Sequence, residues 1–216
     1  MRPRILAFCQ LVLGLFLIFP TASVYAVSFD LFPSTQVVQV GDPFSVEIRV
    51  SDLGNGSAPS LRFWDVDVFD LSNPIYSFSG VTFGDPVLGD QLALDVPSSK
   101  AVAFFGFPPD QGLFLAETSN DTDAVLNSSQ PGAFTLATIT YDTFAVGTAE
   151  VVLIPNVVSL TDGSGGDCVG FGGSACGGTS VATVRVTPEP STFLLLGSGL
   201  AGLIGWRWRK AREIAN

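Results

Sequence analysis

Four stretches of this 216-residue chain carry side chains capable of chemistry. Cys168 and Cys176 flank a Gly-rich run in DCVGFGGSAC. Asp121 and Asp123 in SNDTDA, and Asp162 and Asp167 in TDGSGGD, place hard oxygen donors on polar or Gly-rich loops. Calcium takes such donors, though neither stretch has the twelve-residue EF-hand pattern. Asx turns that cap loop ends are the other use of the same residues. Pro188, Glu189 and Pro190 precede an apolar run that closes on Arg207, Arg209, Lys210 and Arg212. The chain contains no His, which excludes Ser-His-Asp and Cys-His catalysis and His-ligated zinc or haem. With 20 Asp and Glu residues some carboxylate pair is inevitable, so a pair alone does not argue for glycoside hydrolysis. No residue is singled out as catalytic, and beyond calcium no cofactor is expected. Gly197 to Gly202 fits G-x-G-x-x-G but has no strand–turn–helix context for a dinucleotide; its small residues suit close helix approach instead.

The ends of the chain say where these groups work. Arg2 and Arg4 open a basic segment, Ile5 to Phe19 is almost wholly apolar, and Val24-Tyr25-Ala26 has small residues where a signal peptidase needs them. Residues 1–26 therefore read as a secretory signal peptide, with Val27 as the first mature residue. Cys9 leaves with it, and the two remaining Cys, in an exported protein, are expected to form one disulfide. A metal site there lacks further soft ligands. Between Val27 and Thr187 the cations are Arg49, Arg62, Lys100 and Arg185, against all the acidic residues except Glu189 and Glu213. So acidic a body is a poor nucleic-acid partner. At the other end Thr192 to Trp206 is uncharged. Counted from Ser191 to Trp208, a helix there reaches ~27 Å, near the ~30 Å hydrocarbon core. Trp206 and Trp208 suit the interface, and Arg207, Arg209, Lys210 and Arg212 form a cytoplasmic stop.

Between the ends the apolar period is two. FSVEIRV sets Phe44, Val46, Ile48 and Val50 on one face and Ser45, Glu47 and Arg49 on the other; LRFWDVDVFDL, AVAFFGF, LATITYDTF, AEVVLIPNVV and SVATVRV continue the theme. Breaker clusters such as SDLGNGSAPS and NSSQPG separate them. The expected fold is all-β, a two-sheet sandwich over residues 27–187, with the signal peptide before it and a single transmembrane helix within residues 188–216.

VVQVGDPFSVEIRVSDL, FWDVDVFDLSNPIYSFSGVTFGDPVLG and FTLATITYDTFAVGTAEVVLI resemble successive strand pairs of cohesin-like domains. The resemblance implies a jelly-roll sandwich with structural, adhesive or protein-binding roles. Pro-Glu-Pro, then an apolar helix, then an Arg-rich end resembles the PEP-CTERM sorting signal of Gram-negative bacteria. That resemblance implies recognition at Pro188, Glu189 and Pro190 by the transpeptidase exosortase, removal of the tail, and delivery to the cell surface or exopolysaccharide matrix. A carbohydrate-binding module for the exopolysaccharide is the alternative reading of the body, and a glycan-active enzyme a further one.

Overall fold

The computed structural model describes residues 27–70, 75–106, 112–163, 165–167, 176, 178–189 and 198–203. Period-two alternation becomes eleven strands among these residues: β1 (Ser28–Pro33), β2 (Val37–Gln39), β3 (Pro43–Ser51), β4 (Leu61–Asp70), β5 (Tyr76–Phe83), β6 (Ser99–Phe105), β7 (Gly112–Thr118), β8 (Phe134–Thr143), β9 (Gly147–Leu160), β10 (Gly165–Asp167) and β11 (Ser180–Thr187). One short helix, α1 (Asp123–Ser129), sits between β7 and β8, with the Thr122 hydroxyl accepting from Val125 N at its start.

The strands form two sheets. One runs β1-β3-β8-β5; the other runs β2-β11-β9-β4-β7-β6, with β10 added on β9. Every pairing is antiparallel except β2 with β11. The faces turned toward each other supply the core: Phe29, Ile48 and Ile139 from one sheet, Trp64, Leu115 and Leu153 from the other. Each such side chain contributes roughly 1.5–3 kcal/mol through burial. The expected two-sheet sandwich is therefore what this chain forms. Among the described residues no helix is long and apolar enough to cross a membrane. Residues 1–26 and most of the expected membrane helix, 190–197 and 204–216, lie outside the described residues, while 198–203 are helical.

Residues 84–98 join the edge strand β5 of one sheet to the edge strand β6 of the other and belong to neither. Their amides need acceptors other than a ladder. Asp85 accepts from Val87 and Leu88 at 2.8 and 3.0 Å with one oxygen and from Thr135 N at 3.0 Å with the other. Asp90 accepts from Leu92 N at 3.0 Å. Asp121, buried three residues beyond the end of β7, accepts from Leu94, Asp95 and Val96 N at 2.8, 3.1 and 2.8 Å. Three successive amides turned to one anion form a nest. The buried Gln130 completes the frame. Its Oε1 accepts from Leu61 N at 2.7 Å, and its Nε2 donates to Leu61 O and Gln91 O, both at 2.8 Å.

Two predictions come from this frame. Asp121→Asn removes one acceptor oxygen from the nest and should cost about 2 kcal/mol, read as a lower denaturation midpoint with an unchanged m-value. The Asp85 carboxyl is subject to burial, which raises its pKa, but the hydrogen bonds from Thr135, Leu88 and Val87 outweigh burial and hold it below its usual value. Its contribution to stability is thus present above the unfolded value of about 3.9 and is lost as pH falls through the folded one. Asp85→Asn should accordingly be less stable than the parent at neutral pH, and the gap should close in acid titrations followed by circular dichroism.

Candidate functional site

The outer face of the larger sheet combines aromatic surface and carboxylates. On β4 the buried Trp64, Val66 and Val68 point into the sandwich, so Phe63, Asp65, Asp67 and Phe69 face out. Across the ladder Asp67 lies between Phe114 of β7 and Ile154 of β9, and Phe69 lies between Gly112 and Val152. Gly112 is also opposite Phe105 of β6. The rings of Phe69 and Phe105 meet edge to face over this glycine, centroids 5.3 Å apart. A Cβ on Gly112 would come within 2.1 Å of the Phe105 ring, so the close approach needs glycine.

The two carboxylates are held differently. Asp65 Oδ1 accepts from Val157 N at 2.9 Å, where β9 carries a register shift against β4. Asp67 makes no hydrogen bond or ion pair among the described residues, and its neighbours on both strands are apolar. This half-buried carboxylate has no partner in the described part of the fold. It can accept from an incoming ammonium, guanidinium or hydroxyl, while the Phe rings offer apolar faces beside it.

A second cluster lies on the inner side of the same strands. Glu117, in register with Trp64 on β4 and Lys100 on β6, is 1 % exposed. Ser98 Oγ donates to Glu117 Oε1 at 2.6 Å and lies 3.4 Å from Asp90 Oδ2. Lys100 Nζ pairs with Asp90 Oδ2 and stands 3.6 Å from Glu117 Oε1. Glu117 Oε2 and Trp64 Nε1 are buried without a partner. Trp64 and Phe83 rings wall the cluster, 6.0 Å apart, and the Lys100 ammonium is 5.4 Å from the Phe83 centroid. Burial, reinforced by the nearby Asp90 charge and opposed by Ser98 and Lys100, pushes the Glu117 carboxyl up to about 7. Burial acts against the charged forms of Asp90 and Lys100 too, but their mutual pairing wins, holding Asp90 below and Lys100 above the usual values. None of these four residues was singled out by sequence reasoning. The available clue was GLFLAET, where alternation sets Glu117 on the same face as Leu113 and Leu115.

The residues that sequence reasoning did single out are scattered. Asp121 spends both oxygens on the 94–96 amides, and Asp123 sits in the first turn of α1, 3.3 Å from Arg62 Nη1. Asp162 follows β9, and Asp167 ends β10. Among the described residues no group of three or more His, Cys, Asp and Glu is placed to hold a metal ion. Cys176 is buried in the core cluster, while Cys168 lies outside the described residues. Pro188 and Glu189 are exposed directly after β11; Pro190, Arg207, Arg209, Lys210 and Arg212 lie outside the described residues.

Comparison with known proteins follows the same division between body and tail. Residues 186–210 match the family model for the PEP-CTERM protein-sorting motif. No curated protein matches the chain. Among solved structures, a chain from a type I cohesin–dockerin complex of Clostridium thermocellum superposes with a TM-score of 0.51 at 8% identity, covering 75% of this chain and 99% of that one. A cohesin module from a Clostridium perfringens family 33 glycoside hydrolase gives 0.47 at 13% identity, over 74% and 98%. The seventh ScaB type I cohesin of Pseudobacteroides cellulosolvens gives 0.48 at 11%, over 78% and 96%. The first of these carries the fold assignment. Residues 186–210 of the chain therefore carry a PEP-CTERM protein-sorting motif, and its β-sandwich body has a cohesin-like fold.

Proposed function

We propose that this is an exported protein of a Gram-negative surface or exopolysaccharide matrix, delivered there when exosortase removes its tail, and that its sandwich binds a protein partner. The match over residues 186–210, which starts in the last two residues of β11 and continues through the exposed Pro188 and Glu189, carries the first half of this reading. The unpartnered Asp67 among Phe69, Phe114 and Ile154 supports the second half. A partner with Lys or Arg beside apolar residues complements that surface and the acidic body. The Clostridium thermocellum neighbour was solved in complex with a dockerin; for this chain a dockerin-like partner is part of the proposal. Binding of an exopolysaccharide is the second reading, favoured by aromatic faces beside carboxylates. In the exported protein Val27 is the first residue and Cys168 bonds Cys176.

The tail is tested by fractionation and mass spectrometry. A Glu189→Ala, Pro190→Ala variant should stay in the inner membrane with its tail intact, because the apolar helix and the basic cluster still direct insertion. The parent should reach the surface without Trp206 and Trp208; surface protein that retains both Trp makes the tail a permanent anchor. The outer face is tested with Asp67→Val. Relieving an unpaired carboxylate among apolar strand neighbours should raise stability by roughly 0.5–1 kcal/mol. It should also weaken capture of surface-protein partners while leaving retention on purified exopolysaccharide unchanged. Loss of the exopolysaccharide retention alone favours the second reading.

A further inference from the structure

We infer that Lys100 and Asp90 condense into an intramolecular amide, a covalent cross-link between the 84–98 connection and strand β6, with Glu117 carrying protons for the reaction. The four side chains have the parts such a condensation needs. Lys100 Nζ, the nucleophile, is already in contact with Asp90 Oδ2. The electrophile is Asp90 Cγ, on a carboxylate whose other oxygen is fixed by Leu92 N. Glu117 reaches both, lying 3.6 Å from Nζ through Oε1 and linked through Ser98 to the Asp90 oxygen. Its second oxygen is buried and free of partners, so one site on the carboxyl remains open to take or give a proton. Trp64 and Phe83 exclude water from one side.

The step balances without a co-reactant. A proton passes from the Lys100 ammonium to the Asp90 carboxylate, leaving an amine and a carboxylic acid. The amine lone pair attacks Cγ, and the N–C bond forms. Glu117, neutral below about pH 7, protonates the departing hydroxyl through one oxygen and accepts the surplus nitrogen proton through the other. The C–O bond breaks, one water leaves, and Glu117 ends as it began. In bulk water this condensation is unfavourable. Held in contact, the pair gains an effective molarity on the order of 10⁵ M. Asp90 and Lys100 side chains are only 18% and 36% exposed. The ion pair must neutralise itself first, so the reaction is slow and follows folding.

Few cations make the test simple. Between Arg62 and Arg185 the only other trypsin site is Lys100. The full exported protein is reduced, denatured and digested. An acylated Lys100 resists trypsin, so residues 63–185 should appear as one peptide, one water lighter than its sequence. Separate 63–100 and 101–185 peptides at their sequence masses overturn the proposal. Glu117→Gln keeps the size of the side chain but cannot shuttle a proton, and cleavage after Lys100 should return while circular dichroism remains native. Undiminished cross-linking in that variant overturns the role given to Glu117. Lys100→Arg preserves the ion pair; cleavage at position 100 in this variant shows that the site is open to trypsin once denatured, and a peptide one water lighter there overturns the assignment of the amine.

Discussion

Backbone amides that cannot join a ladder must find acceptors elsewhere, and here that constraint governs the open side of the sandwich. The 84–98 connection crosses from one sheet to the other between two edge strands. Asp85, Asp90 and Asp121 take its N–H groups, and Gln130 ties it to the first residue of β4. Because the connection is fixed in this way, Asp90 and Ser98 arrive beside Lys100 and Glu117. Without the Asp121 nest, nothing in the ladder would specify that meeting. Charge in this acidic chain is thus used as architecture as well as surface.

Much of the fold was legible because one face of most strands is buried. FSVEIRV could be nothing but a half-buried strand, and β3 buries Phe44, Val46, Ile48 and Val50 as its alternation requires. AVAFFGF was legible as a strand, yet its position at a sheet edge, with both faces largely exposed, depends on pairing partners that no local pattern names. Loop aspartates were harder. A carboxylate in SNDTDA has the same composition whether it meets a cation or a row of amides, and only the three-dimensional path of residues 94–96 decides for Asp121. The inner cluster was the least legible part. Glu117 betrays itself by standing where alternation calls for an apolar residue, but Asp90 and Lys100 look like ordinary surface charges until the chain is folded.

The two halves of the chain rest on different kinds of information. The tail is read as a linear order of residue types, Pro-Glu-Pro, apolar run, basic end, and its meaning survives without tertiary structure. The body has the reverse character. It shares its sandwich fold, at a TM-score of 0.51, with a cohesin–dockerin chain to which it is only 8% identical. The outer face, with Asp67 unpaired among apolar neighbours, and the inner cluster around Glu117 are where this chain departs from simple patterning. Local rules that a fold breaks without structural compensation tend to mark function.

The tail leaves the body at Thr187, the last residue of β11, and β11 is an interior strand. It pairs antiparallel with β9 along Ser180 to Val186 and parallel with β2 at Arg185 to Thr187. Leu31 N of β1 also donates to Ser180 Oγ at its far end. A pull on the tail along the strand axis therefore loads the hydrogen bonds on both sides of β11 together, in shear, instead of opening them one after another like a zip. Tension arriving at the tail is thus shared across the β9 and β2 pairings instead of peeling β11 away residue by residue.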